Sequence, residues 1–270
     1  PADISITPAA HLKAVLPGSK GPDCVTHADM YAAARAAFPG LPLGGGMFSF
    51  FTELNRIRPP AALLDFVTHT VAPIVHAADD VSVMETLESH PYIIHSTRQF
   101  AGGKPYRVGP SAVPARDNPY GKASAENPGN GRVCLSRMDP RQRGLFGAAW
   151  LFGYIAGFAR GGLDVVSVGA PTGPSGLIAR KTDYSQPYFD DTAGAAVYPA
   201  FHVVAGLTRA AGRPLRAITL SDEAKVAGLA YDGDSGTTLW LANLTDADQS
   251  VAVSGVEIAG ARVHKLNDRN

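Results

Sequence analysis

Glu53, Asn55 and Arg56 fall within one short run, FFTELNR. A carboxylate of this kind can take a proton from water, and a guanidinium beside it can stabilise a developing oxyanion, so the chemistry on offer is hydrolytic. The run directly follows PLGGGMFSF, a glycine-rich apolar stretch that reads as a strand leading into the polar cluster. A (β/α)8 barrel keeps its chemistry at the carboxyl ends of its strands, which makes these three residues active-site candidates. Glu53 and Arg56, three positions apart, equally suit a plain ion pair at a helix start.

Other strand-like runs end in polar residues too. His11 and Lys13 follow DISITPAA, His69 and Thr70 lie on DFVTHTVAPIV, and His76, Asp79 and Asp80 fall in VHAADD. Ser111, Arg116, Asp117 and Asn118 close PYRVGPSAV, and Thr172 closes LDVVSVGAP. By residue type, Glu53 reads as a general base or water-positioning group, with Arg56 or His69 on the oxyanion. Asn55, His11, Lys13, His76, Asp80, Ser111, Arg116 and Asn118 make up the expected substrate-binding set.

Each of these has a plainer reading beside it. A histidine inside a strand, such as His69, also fits a satisfied core residue. Asp79 and Asp80 precede SVMETLE and suit the cap of that helix, although His76 with either has a metal-compatible spacing. No HExxH motif or cysteine cluster occurs, and no metal or cofactor is expected. The GxSxG elbow is absent, so Ser111 in GPSAV lacks the setting of a serine nucleophile. There is no GxGxxG or GxxxxGK[ST] motif, and GGG at Gly44 to Gly46 suits close packing of backbones within a strand.

The bulk properties narrow the partner. Lysine plus arginine equal aspartate plus glutamate at 24 each in 270 residues, without blocks of like charge. That balance argues against nucleic-acid and anionic-membrane partners and favours a small polar molecule. Cys24 and Cys134 lie too far apart for a zinc ribbon or disulfide framework, which points to a cytoplasmic setting. The most apolar run, LFGAAWLFGYIAGFARGG, is interrupted at Arg160 and reads as a buried helix rather than a membrane span.

Positioning the candidates requires alternating elements. Thr26 stands three residues before Asp29 at the head of MYAAARAAF, an acidic variant of the capping box. Pro39 and Gly40 end that helix, and Pro42 to Phe51 supply the next strand. RPPAALL gives at most a short helix, and Asp65 to Val75 the third strand. DDVSVMETLESHP is helical to Ser89, where Pro91 disturbs it. Pro105 to Val113 form the fourth strand, followed by a long exposed loop, PARDNPYGKASAENPGNGR. Arg143 to Ala159 form a helix, Leu163 to Pro171 the fifth strand, and AVYPAFHVVAGLTRAAG the last helix.

Strands alternating with helices indicate parallel βα units and an α/β fold. A closed barrel has eight such units. Five are visible, so residues 1–212 are expected to form the C-terminal part of a (β/α)8 TIM barrel, about strands 4 to 8, with the N-terminal part of the same barrel missing. Alone, such a piece would expose open parallel edges and is expected to be inactive or poorly folded. From Arg213 the runs shorten: LRAITL, KVAGLAYD, TTLWLANLT, QSVAVSG and ARVHKLN describe a small antiparallel β domain over residues 213–270. Tyr231 and Trp240 there suit either its core or a sugar-binding face.

GGGMFSFFTELNRIRPP, DFVTHTVAPIVHAADDVSVMETLESHP and YRVGPSAVPARDNPYG resemble the D-apionate lactonase family of sugar-acid catabolic enzymes, and the resemblance covers nearly the whole chain. It implies a barrel related in architecture to the retaining glycosidases, followed by a small β domain. The implied reaction is hydrolysis of a D-apionolactone-like sugar lactone to the free aldonate, with a sugar lactone or sugar acid as partner and no nucleic acid or membrane. It assigns no catalytic residue. The barrel also resembles glycosidases that pair a glutamate after strand four with another after strand seven, and DFVTHTV is similar to their sixth strand. By that count the seventh, YRVGPSAV, ends without a carboxylate, whereas retaining chemistry needs two at about 5 Å. A glycoside hydrolase and a non-catalytic carbohydrate-binding barrel stand as the alternatives.

Overall fold

A computed structural model describes residues 2–267; Pro1 and Asp268 to Asn270, the outer ends of the two expected units, lie outside the described residues. The chain opens with strand β1 (Ile4–Ile6) and a 3-10 turn at Ala9–Leu12, then enters helix α1 (His27–Ala37). Thr26 caps α1 as its spacing predicts. Its hydroxyl accepts from the Asp29 amide at 3.1 Å and donates to the Asp29 carboxylate at 2.8 Å, which satisfies donors that the first helical turn leaves free.

Strands β2 (Leu43–Met47), β3 (Phe66–His69), β4 (Tyr106–Ser111) and β5 (Val165–Val168) join β1 in one parallel sheet in chain order. Between them run α2 (Phe51–Ile57), α3 (Asp80–Glu85), α4 (His90–Phe100) and α5 (Leu145–Arg160). Pro91 does not stop the helical stretch: it occupies the first turn of α4, where the missing amide costs nothing. Among the described residues β1 pairs only with β2, and β5 only with β4.

The strands are shorter than their apolar runs. β2 stops at Met47, so Glu53, Asn55 and Arg56 stand on α2 rather than on a strand end. β3 stops at His69 because the Thr70 hydroxyl turns back to the carbonyls of Phe48 and Ser49. Alternation along β2 sorts the layers. Leu43 and Met47 pack with Tyr31 of α1 and Leu54 of α2, while Gly44 and Gly46 pair across to Phe66 and Thr68. A Cβ at Gly44 would strike the Phe66 ring, so the glycine run does serve close packing.

A second core forms around α5, which is apolar on most of its surface and mostly buried, Leu145 and Arg160 at its ends being exposed. Trp150, Tyr154 and Phe158 face the sheet and α4. Phe152 faces the carboxyl-terminal strands. No helix among the described residues is long and apolar enough to cross a membrane.

After a small ribbon of β6 (Ile178–Ala179) and β7 (Ala196–Val197), helix α6 (Pro199–Thr208) leads to β8 (Leu215–Arg216), β9 (Val226–Gly233) and β10 (Gly236–Asn243). These three form an antiparallel sheet in the order β10, β9, β8. QSVAVSG and ARVHKLN form no strand within the described residues, a correction to the expected pattern. An alternating run becomes a strand only where a neighbour takes up its backbone groups, and β10 pairs with β9 alone. Trp240 stacks on Phe152 at 6.0 Å and lies over Gly206 of α6, and Tyr231 is buried. Both aromatics serve packing rather than an open sugar face.

Candidate active site

Helix α2 begins almost at once after β2 and carries Glu53 in its first turn. The side chain is 1% exposed and neither carboxylate oxygen has a hydrogen-bond partner. Arg56, one turn on, reaches only to 3.9 Å from Oε1. Burial pushes the Glu53 carboxyl above the usual range, its own backbone amide, Arg56 and His76 pull it back, and Asp117 pushes it up again. Burial thus makes Glu53 hold a proton more firmly than an ordinary glutamate, which suits a group that takes a proton and gives it back.

The loops after β3 and β4 supply the surroundings. His76 is exposed, with its ring 5.8 Å from that of Tyr120. Burial, and then the charge of Glu53, pushes the Tyr120 phenol up. Asp117 has one oxygen 3.7 Å from Lys13 Nζ and the other, Oδ2, buried without a partner. Lys13 also donates to the carbonyls of Asn118 and Gly121, each at 2.9 Å, which ties the loop after β1 to the loop after β4. Glu53, Arg56, His76, Asp117 and Tyr120 thus act on one another at the carboxyl ends of β2, β3 and β4. Tyr120 is the member that sequence reading missed. Its position in a loop rich in proline, asparagine and glycine gave no periodic signal.

Several expected binding residues are spent on the fold. Asn55 Oδ1 accepts from Arg58 at 2.8 and 3.2 Å. The Asn118 side chain accepts from the Tyr120 amide and donates to Ala123, building the turn that carries Tyr120. Arg116 donates to the Gly169 carbonyl at 2.9 Å, strapping the loop after β4 to the end of β5. Asp80 pairs with Arg132 and Arg141, while Asp79 caps α3 by accepting from the Ser82 amide. The helix-cap reading of this pair of aspartates is the better one, and no ligand set with His76 forms. Among the described residues no group of three or more His, Cys, Asp or Glu side chains is arranged to hold a metal ion. Ser111 is buried, accepting from the Val71 amide and from the Tyr154 hydroxyl. His11 turns away from this cluster towards Cys24.

His69 requires the largest correction. It points from β3 into the helical layer, fully buried against Phe51, Tyr106 and Phe158. Its Nδ1 lies 3.0 Å from the Thr70 carbonyl oxygen, which only accepts, so Nδ1 carries the proton. Nε2 then accepts from the Tyr106 hydroxyl at 2.6 Å. Both nitrogens are engaged, and burial lowers the imidazole pKa to about 4. An uncharged histidine in this position stabilises no oxyanion at the strand ends. His90 nearby is buried too, with both nitrogens unpartnered and a pKa lowered to about 3 by burial and by His69.

These two histidines predict acid lability. Each folded-state pKa lies below the ordinary 6.5. Their contribution to stability is therefore complete above about pH 6.5 and is lost as pH falls towards 4 and then 3. Urea midpoints measured at pH 7.5, 6 and 4.5 should fall steeply over that span, and a flat profile would contradict the buried neutral state.

A parallel sheet flanked by helices, with its polar cluster at the strand ends and an antiparallel sheet appended, defines an α/β protein with a carboxyl-terminal β domain. Residues 1–212 match the family model "D-apionate lactonase, TIM barrel domain", and residues 223–269 match "D-apionate lactonase, C-terminal immunoglobulin-like domain". The chain belongs to the D-apionate lactonase family. It is 41% identical over 254 residues to a D-apionate lactonase of Brucella anthropi, an alignment covering 94% of this chain and 40% of that protein. The chain thus spans two fifths of that relative's length. Two solved glycoside hydrolases also align with the chain: a GH2 β-galacturonidase from Eisenbergiella tayi at 15% identity (TM-score 0.40, 72% of this chain and 31% of that one) and a GH30 endoxylanase from Clostridium papyrosolvens C71 at 12% identity (TM-score 0.41, 81% and 46%).

Proposed function

We propose that this chain contributes the hydrolytic site of a sugar-lactone hydrolase acting on a D-apionolactone-like substrate, with Glu53 as general base. The observation that carries this reading is the Glu53 carboxylate, buried at the strand ends with both oxygens unpartnered. Glu53 takes a proton from water as the water oxygen attacks the lactone carbonyl. The oxyanion of the tetrahedral intermediate faces Arg56 and His76. Collapse breaks the ring C–O bond, and Glu53 returns its proton to the leaving ring oxygen, giving the open hydroxy acid, whose carboxyl then loses its proton to solvent. Burial and the Asp117 carboxylate keep the Glu53 proton affinity high, and Asp117 and Tyr120 offer hydrogen bonds to sugar hydroxyls.

The same reading takes the five parallel strands as the last five of an eight-stranded barrel, supported by their consecutive order and the family model. It places the barrel unit in residues 1–212 and the β unit in 213–270. It sets the enzyme in the cytoplasm, where two free thiols stay reduced.

One observation favours a glycoside hydrolase as the second reading. Asp117 also holds a buried, unpartnered carboxylate oxygen and acts electrostatically on Glu53, and glycoside hydrolysis calls for two carboxylates. Screening aldonolactones against aryl glycosides separates the two. Acid release from lactones without aglycone release is the expected outcome; the reverse pattern would replace the lactonase assignment.

A further inference from the structure

The loop after β1 folds back so that His11, 9% exposed, sets its Nε2 3.3 Å from the Cys24 sulfur. His11 Nδ1 is buried without a partner. Both residues line a cavity of about 420 Å³ together with Ser19, His27 and Arg56, and no acidic side chain lines it. Nothing in the proposed hydrolysis uses Cys24, His11 or His27.

We propose that this cavity is a thiol-exchange site, in which Cys24 is the nucleophile, His11 its proton acceptor, and a small disulfide bearing carboxylates the reactant. The Cys24 proton passes to His11 Nε2, and the thiolate attacks one sulfur of the incoming disulfide. The reagent's S–S bond breaks as the Cys24 mixed disulfide forms. The departing thiolate takes the proton from His11, so one thiol and one disulfide yield one mixed disulfide and one thiol. Arg56 supplies the charge that holds a reactant carboxylate.

The electrostatics favour a neutral thiol–imidazole pair at rest over a fixed thiolate–imidazolium ion pair. Burial lowers the His11 pKa, and burial with the neighbouring His11 lowers that of His27. The two rings lie 5.1 Å apart, and Tyr31 sits 5.7 Å beyond His27. His11 is therefore neutral near pH 7 and free to accept.

Cys134, the other free cysteine, is exposed too. No imidazole reaches it by hydrogen bond among the described residues, so it serves as the internal control. The full chain is treated with 5,5′-dithiobis(2-nitrobenzoate), a disulfide with two carboxylates, and the release of thiolate is followed by absorbance. C134S, which keeps Cys24, should react about 10-fold or more faster than C24S, which keeps Cys134. In the C134S background H11Q should bring the rate down to that of Cys134, and 2-hydroxyethyl disulfide, which lacks carboxylates, should lose the advantage. Equal rates for C134S and C24S would overturn the proposal whether or not H11Q folds.

Discussion

Glu53→Gln is expected to cut lactone turnover by about 10²-fold or more, the usual contribution of a positioned proton-transfer group, while raising thermal stability near pH 7. The two effects share one cause. Because burial raises the folded-state pKa of Glu53, the protonated carboxyl fits the fold better than the carboxylate. Its stabilising contribution is complete below the ordinary glutamate range and is lost as pH rises through the elevated value. Glutamine resembles the protonated form, so the variant escapes that loss at neutral pH and its advantage disappears in acid. A carboxylate kept for an ion pair with Arg56 would behave oppositely, losing stability on substitution with turnover untouched. Wild-type turnover should rise with pH through an apparent pKa above that of an ordinary glutamate, as the base form becomes populated. Measuring kcat and melting temperature for both proteins between pH 4 and 8 tests all three expectations. A near-wild-type kcat for the variant would remove Glu53 from the mechanism.

Gly46→Ala is expected to be the most damaging single-methyl change in the sheet. Gly46 sits at φ 157° on β2, and a Cβ there would fall on the Thr68 carbonyl oxygen of the paired strand. Backbone rather than a flexible side chain stands in the way, so relief requires β2 and β3 to part. The unfavourable backbone and the overpacking together cost about 4 kcal/mol, a large share of the roughly 5–15 kcal/mol that holds a domain folded. Thr7 donates to the Gly46 carbonyl at 3.2 Å, and Thr70 closes onto Ser49, so the displacement would carry into the turn that leads to Glu53. Insoluble protein, or a denaturation midpoint far below wild type, is the expected result. Ordinary stability would mean that the two strands are not held in this register.

The βα order was legible because each helix announces its start. Thr26 with Asp29 and Asp79 ahead of α3 are caps that the spacing specifies, and both form as read. Strand lengths were not legible, because an apolar run continues past the point where Thr70 redirects the chain. The site was half legible. Glu53 stands out by type and placement, and Lys13 and Asp117 by their position after strands. The direction in which a strand residue faces is invisible until register is known, and so His69 and Ser111 could not be sorted from the mouth residues. Polar side chains near strand ends are not all free for a ligand: Asn55, Asn118 and Arg116 hold the loops that shape the site.

Helix α5 packs on one side against β5 and, through the Tyr154–Ser111 hydrogen bond, β4, and on the other against β9, with Gly153 drawn so close that an added methyl would meet Leu87. A helix clamped by sheets on both flanks has no independent way to open. Its amide protons can exchange with solvent only when both neighbours let go, so the β9 and α5 amides should exchange at one common, slow rate, while those of β10, half open to solvent, exchange ahead of them. The appended sheet then works as a brake on the barrel's breathing, and loosening it would be felt first as faster exchange in α5, far from any residue of the polar cluster.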